Sequence, residues 1–287
     1  MLGCGLLGTA CARRLLAAGF EVHGYDVDAA KRDALAKLGA RAAASVAAIV
    51  RACPSLVLCV FDTQQVRQVV EEIGAALRAS EPRAVICCST CDPDELAQIA
   101  DAAQKRGLQF VEMPISGSSG QVAAGDGVGF VAGSEQAKAG CAAILQAICP
   151  RRTELERFGD PLRAKLAINL ILGLNRAALA EGLVLAERLG LDLARFLESA
   201  RNSAAYSQVM DVKGAMMARR QFTPAQGRVA QSLKDFRLML AQAQSKRQAL
   251  PFAKLYAAML EDCVRQGEAE WDNAAILEAI RRRGGGP

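Results

Sequence analysis

A chain of 287 residues, 52% hydrophobic and 23% charged, has room for two ordinary globular domains and excludes a disordered or fibrous protein. Its net charge of +5 comes from scattered Lys and Arg rather than basic runs interleaved with aromatics, which excludes nucleic acid as a partner. No uninterrupted apolar run reaches the ~18 residues of a membrane span, so no membrane partner is expected. The apolar start, Met1 to Ala12, lacks the basic region that opens a signal peptide, because Arg13 and Arg14 follow it. Gly8-Thr9-Ala10-Cys11 loosely resembles a lipoprotein cleavage site, but the glycine pattern described below accounts for the same residues. Cys59, Cys87 and Cys88 lie in apolar runs, and Cys88-Ser89-Thr90-Cys91 has redox-motif spacing without a second pair. A reducing compartment, the cytoplasm, is expected.

The front half reads as alternating strand and helix. Gly3-Cys4-Gly5-Leu6-Leu7-Gly8 is a GxGxxG pattern continued by a helix from Thr9 to Ala18, which Gly19 ends. Such glycines permit a tight turn, close approach of a pyrophosphate and tight helix-to-strand packing, while the helix N-terminus offers N–H groups to the phosphates. A strand from Glu21 to Tyr25 leads to Asp26, 18 residues beyond Gly8. A carboxylate there can accept from ribose hydroxyls and repels a 2′-phosphate, so NAD is expected over NADP. Only Met1 and Leu2 precede Gly3, where a strand of ~5 residues is usual. Either the chain's start lies downstream of the natural one, or the sheet carries a stub at its centre.

Next come a helix over Asp28–Leu38 closed by Gly39, a strand near Arg41, and a helix capped by Ser45 that reaches Ala52. Leu56–Val60, Ala84–Cys88 and Leu108–Glu112 read as buried strands, separated by helices over Thr63–Leu77 and Pro93–Arg106. Short apolar strands between helices predict an α/β, doubly wound, mostly parallel Rossmann sheet over residues 1–158.

Residues 159–287 predict an all-α domain for substrate binding and self-association. Pro161–Leu189 reads as one long helix, apolar over much of its circumference and therefore buried between neighbours. Helices follow over Asp192–Arg201, Ala204–Met217, Pro224–Ala243, Pro251–Gln266 and Asn273–Arg282. The arginines at 281–283 before Gly284-Gly285-Gly286-Pro287 read as a solvated, frayed end. Long apolar helices here predict a homodimer or homotetramer.

Lys165 and Asn169, four residues apart in the long helix, share one face, and Gly173 continues it to admit close approach of another group. Moving a hydride between an alcohol and a nicotinamide requires a group to move the hydroxyl proton. The sole histidine, His23, sits in the strand leading to Asp26, on the adenosine side of the cofactor. An amine can serve instead where burial and nearby positive charge bring lysine from ~10.4 toward 7–8. Lys165 is the candidate general acid/base, with Lys234 of Lys234-Asp235-Phe236 as a second lysine for the same cleft. A snorkelling surface lysine stays open as the structural alternative.

These residues resemble the β-hydroxyacid dehydrogenase family, which includes 3-hydroxyisobutyrate dehydrogenase and carries a 6-phosphogluconate dehydrogenase-type NAD-binding domain. The resemblance covers nearly the whole chain in four ordered motifs: Gly3–Gly8; Phe110-Val-Glu-Met-Pro-Ile-Ser116-Gly117-Ser118; Gly159-Asp-Pro-Leu-Arg-Ala-Lys165-Leu-Ala-Ile-Asn169; and Lys234-Asp235. Ser89-Thr90 followed by Pro93 matches the family's cofactor-side turn. The resemblance implies that Lys165 is the acid/base and that Asn169 orients it and the substrate. It implies that Ser116, Gly117 and Ser118 hold a substrate carboxylate, with Asp235 alongside. Thr90, Phe61 and Asp62 would meet NAD near its nicotinamide ribose, and Lys234 would close the cofactor site. A small anionic 3-hydroxy acid, such as 3-hydroxyisobutyrate or L-threonate, is the implied substrate, and no metal is implied.

The sequence departs from the family pattern at Pro161, Met113, Ser118 and Gly125-Asp126-Gly127, all bordering the substrate. An imine reductase of the same architecture typically lacks the lysine. A phosphosugar acid dehydrogenase has a larger helical tail. A catalytically decayed NAD-binding interaction protein remains the non-enzymatic alternative.

Overall fold

The computed structural model describes residues 1–77 and 83–284, and the chain divides into two compact units, Met1–Lys165 and Leu166–Pro287. The division between these units falls inside the long helix. Residues 285–287 of the expected frayed end lie outside the described residues.

In the first unit the parallel strands β1 (His23–Gly24), β2 (Arg41–Ala42), β3 (Ser55–Leu58), β4 (Ala84–Cys87) and β5 (Gln109–Glu112) alternate with α1 (Leu6–Ala17), α2 (Ala29–Ala36), α3 (Val46–Ala52), α4 (Thr63–Ala76) and α5 (Pro93–Lys105). The missing first strand is replaced by one residue. Leu2, 1% exposed, bridges Tyr25 on one side and Leu58 on the other. Its N–H donates to Val57 O and its carbonyl accepts from Cys59 N, both at 2.8 Å, while Gly3 N–H donates to Tyr25 O at 2.9 Å. The spatial order is thus β2-β1-Leu2-β3-β4-β5, a Rossmann sheet whose central strand is a stub.

Three further strands extend the sheet where no strand was expected: β6 (Ile115–Ser116), β7 (Val128–Gly133) and β8 (Arg151–Glu154). β7 runs antiparallel to β5 and β6 and parallel to β8. Their signals are weak because β7 is broken by glycines and β8 reads Arg-Arg-Thr-Glu on an exposed edge. Short helices α6 (Ser119–Ala124), α7 (Glu135–Gly140) and α8 (Ala142–Ile148) connect them. Two apolar clusters make the core, one built on Val57, Ile86 and Val111, the other on Leu56, Val85 and Phe110. Adjacent residues of each strand therefore face opposite sides, as a sheet covered twice requires.

The long helix α9 (Asp160–Arg188) begins in the first unit. The second unit continues it and adds α10 (Leu193–Arg201), α11 (Gln208–Ala218), α12 (Val229–Ser245), α13 (Pro251–Arg265) and α14 (Ile276–Arg283), around a core that includes Leu183, Phe236, Tyr256 and Leu260. One expectation about α9 is corrected: it is not wrapped on all sides, since Ile171 and Leu185 are about 60% exposed while Leu179 and Leu183 lie in the core. Isolated polar residues interrupt its apolar runs, yet an 18-residue window reaches a mean hydropathy of 1.4. The helix is thus long and apolar enough to cross a membrane by length and composition, a test that the core helix of a soluble protein also passes.

Two of the three C-terminal arginines are not a solvated fringe, while Arg283 is exposed. Arg281 bonds Glu187, and Arg282 pairs with Asp262 at 3.0 Å and Glu268 at 2.7 Å, holding α14 against its unit.

Candidate active site

The glycine loop is shaped by contacts that exclude a side chain at two positions and leave a third open. Gly3 has φ +90, and a Cβ on it would meet Cys59 O at 2.5 Å. A Cβ on Gly8 would lie 2.0 Å from Gly3 O. A Cβ on Gly5 would meet nothing within 4 Å, so the space beside the N-terminus of α1 is open. Gly5 N-caps that 12-residue helix without a side-chain cap bond. A cradle with unfilled room and a helix N-terminus turned to it fits a dinucleotide pyrophosphate.

Asp26 stands at the next strand end. Its Oδ2 accepts from Cys4 N–H at 2.8 Å and its Oδ1 from Asp28 N–H at 3.0 Å. An ionised carboxylate has about four acceptor sites, so two remain for ribose hydroxyls. Lys31 Nζ lies 3.9 Å from Oδ1, and Arg32 donates instead to Asp26 O at 2.6 Å. His23 pairs with Glu21 at 2.8 Å and takes no part in this constellation.

The turns after β3 and β4 are tied together. Val60 N–H donates to Ser89 Oγ at 2.9 Å and Asp92 N–H to Thr63 Oγ1 at 2.8 Å. The first bond fixes the turn that holds Phe61, a residue 47% exposed, and the second fixes the turn that holds Thr90. Glycine loop, Asp26, Phe61 and Thr90 thus all follow carboxyl ends of parallel strands, where open α/β sheets bind ligands.

Lys165 is buried, at 5% exposure, and its amine donates to Thr90 Oγ1 at 2.5 Å. The snorkelling alternative is therefore overturned: the amine is held by a buried hydroxyl within the first unit. The beginning of α9 is held by a residue that sequence reasoning passed over. Glu112, fully buried at the end of β5, accepts from Gly159 N–H at 2.6 Å through Oε2 and from Leu162 N–H at 3.0 Å through Oε1. A carboxylate inside the apolar run Phe110-Val111-Glu112-Met113 was the available signal, since a buried charge requires partners.

Burial pushes the Glu112 carboxyl up from its ordinary 4.5 to about 7, against the downward pull of its two N–H bonds and of Arg163, while Asp160 adds to the rise. The folded protein then holds a proton that the unfolded chain has released, so this group's stability contribution declines as pH rises from about 4.5 to 7. Over that window wild-type urea-unfolding stability should fall by a few kcal/mol relative to Glu112→Gln. Parallel stability profiles for the two proteins would contradict it.

Ser116 lies half-buried on β6 and Gly117 is exposed with φ +140. Ser118 is a helix cap: its Oγ accepts from Gln121 N–H at 3.2 Å, and its own N–H donates to Gln121 Oε1 at 2.9 Å. That N–H is committed to α6. The hydroxyl hydrogen is what Ser118 has to offer.

In the second unit, Asn169 Nδ2 donates to Asp235 Oδ2 at 3.4 Å, and the Lys234 amine lies 3.0 Å from Asp235 Oδ1. Gly173 does admit a close neighbour, but that neighbour is a ring of its own unit: a Cβ there would meet Phe236 Cζ at 2.4 Å. This seats α12 against α9 and sets Asp235 beside Asn169. A buried pair that the sequence did not signal, Lys213 and Asp272 at 2.7 Å, braces the same unit.

All ten cysteines carry free thiols, and no group of three or more His, Cys, Asp or Glu among the described residues is arranged for a metal ion.

Residues 1–155 match the family model of the NAD binding domain of 6-phosphogluconate dehydrogenase. Residues 159–280 match that of the NAD-binding domain of NADP-dependent 3-hydroxyisobutyrate dehydrogenase. Among curated relatives, glyoxylate/succinic semialdehyde reductase 1 of Arabidopsis thaliana is 28% identical over 98% of this chain and 97% of its own length. The 2-hydroxy-3-oxopropionate reductase of Escherichia coli (strain K12) is 26% identical over 97% of this chain and 95% of its own. Among solved structures, 3-hydroxyisobutyrate dehydrogenase from Salmonella typhimurium superposes with a TM-score of 0.87 at 26% identity, covering 96% of this chain and 97% of that one.

Proposed function

Because the chain belongs to the β-hydroxyacid dehydrogenase family, we propose that it is an NAD-dependent dehydrogenase of small 3-hydroxy acids in which Lys165 moves the substrate's hydroxyl proton. The observation that carries this reading is the buried Lys165 amine bonded to Thr90, in the same unit as the open glycine cradle.

When bound, NAD supplies the hydride acceptor. The glycine loop holds its pyrophosphate, Asp26 its adenosine ribose, and the turns bearing Phe61 and Thr90 its nicotinamide end. Lys165 accepts the hydroxyl proton during oxidation and returns it during reduction, while Thr90 fixes the direction of its lone pair. Ser116 and Gly117 receive the substrate carboxylate through hydroxyl and N–H groups, aided by the Ser118 hydroxyl. Asn169, steadied by Asp235, is the proposed substrate-orienting residue, and Lys234 the proposed second lysine. A homodimer or homotetramer is the proposed assembly, supported by the apolar residues that α9 leaves exposed.

Turnover of 3-hydroxyisobutyrate, L-threonate, glycerate and 4-hydroxybutyrate, followed by reduced-nicotinamide absorbance with NAD and NADP, tests the reading. Activity on at least one 3-hydroxy acid is expected. Reduction of a cyclic imine with no action on any hydroxy acid would overturn it.

The cofactor preference has its own test. Asp26→Ser removes the charge that repels a 2′-phosphate, so the ratio of kcat/KM for NAD over NADP should fall by about tenfold to a hundredfold. An unchanged ratio would show that Asp26 does not read the ribose.

A further inference from the structure

The Lys165 amine is held by more than Thr90. β4 and β5 lie in parallel register with Cys87 opposite Glu112. Thr90 follows Cys87 by three residues, and Lys165 follows Leu162 by three, one helical turn. Thr90 bonds Lys165, and Glu112 bonds Leu162 and Gly159. Two neighbouring strand ends therefore grip the first turns of α9 at two points, one through a side chain and one through backbone N–H groups. We propose that Glu112 is a positioning residue that sets the Lys165 amine by anchoring the start of α9. This rests on the reading of Lys165 as the proton carrier.

The contacts around the anchor point the same way. Helix α9 starts with N–H groups that need acceptors, and Glu112 supplies two of them from 47 and 50 residues away in sequence. Gly159 has φ +88, and a Cβ there would meet Pro93 O at 2.7 Å, so the chain enters the helix pressed against the start of α5. Arg163, one residue past Leu162, bonds both Asp160 and Asp94, tying the same turn to α5. Glutamate suits the position for a stated reason. It offers two acceptor oxygens to two N–H groups, whereas glutamine offers one and points an NH₂ at the other. Alanine offers none and leaves both N–H groups buried without an acceptor. The carboxyl also stands at a burial penalty, and an apolar residue would relieve it only by giving up both bonds.

The test uses the intact chain and reads the amine without relying on turnover. Wild type, Glu112→Gln and Glu112→Ala are acylated with a limiting N-hydroxysuccinimide ester, and each lysine's rate is obtained by peptide mass spectrometry. Lys213, buried and paired with Asp272 in the second unit, is the internal control. Losing both bonds should raise the Lys165 rate by about tenfold in the alanine variant, with glutamine intermediate, while the Lys213 rate stays unchanged. In parallel, Glu112→Gln should lower kcat by about tenfold or more with KM for NAD unchanged, because a small misplacement of a reacting group is felt in the chemical step. An unchanged Lys165 rate in both variants overturns the proposal, and so does a joint rise at Lys165 and Lys213, which marks general loosening. If wild type turns over no hydroxy acid while the Lys165 rate responds selectively, the dehydrogenase reading fails and the positioning role of Glu112 stands.

Discussion

Replacing Lys165 with Ala is expected to lower the rate of hydride transfer by about 10²–10⁴-fold while leaving NAD affinity unchanged. The expectation follows from where the amine sits. It is buried, it donates to Thr90 Oγ1, and the beginning of its helix is anchored by Glu112. A buried amine bonded to a buried hydroxyl is costly to place and fixed in direction, which suits a proton carrier. The glycine loop and Asp26 lie elsewhere in the same unit and do not depend on that side chain. The check is a stopped-flow measurement of nicotinamide reduction beside a calorimetric titration of NAD. A variant that lost cofactor binding along with turnover would show a structural lysine instead.

The glycine loop gives the second large effect, and two substitutions divide it cleanly. Alanine at Gly8 places a Cβ 2.0 Å from Gly3 O and 3.3 Å from Cys59 Cβ, where only backbone movement can relieve the clash. Overpacking of this kind costs about 1–3 kcal/mol, so Gly8→Ala should lower stability and weaken NAD roughly tenfold to a hundredfold. Alanine at Gly5 touches nothing in the protein. Gly5→Ala should therefore unfold at the wild-type urea midpoint yet bind NAD poorly, because the methyl group enters the space left for the pyrophosphate. Wild-type affinity in Gly5→Ala would remove the cofactor from that cradle.

The two halves of the chain differed in how much they disclosed. Local rules were readable wherever the partner is near in sequence. Ser45 does accept from Ala48 N–H, Asp92 caps α5 ahead of Pro93, and Asp192 accepts from Arg195 N–H. The glycine spacing and Asp26 were readable for the same reason, since the loop, helix and strand they belong to are consecutive. Partners distant in sequence were not readable. Leu2 acts as a strand only because Tyr25 and Leu58 flank it. The helix expected from Pro224 starts at Val229, because Gln226 and Gly227 give their N–H groups to Asp272, more than 40 residues on. The basic tail looked solvated because nothing near it in sequence announced Glu187 or Asp262 as partners.

The same distinction separates the site residues. Lys165 and Asn169 could be proposed together from the sequence because one turn of helix joins them. Glu112 could not, because its meaning lies in N–H groups that arrive from the far side of three strands and three helices. Ser118 carries a second local meaning: three residues further on stands Gln121, and serine followed at that spacing by glutamine is also the signature of a capping box.

The charge of Lys165 and its ability to release a proton can be separated by a single replacement. Arginine keeps the positive charge and the donors but holds its proton at every working pH. In Lys165→Arg protein shown to bind NAD normally, single-turnover nicotinamide reduction should be as slow as in Lys165→Ala. Reduction within about tenfold of wild type would mean that positive charge suffices, and that no proton passes through this amine.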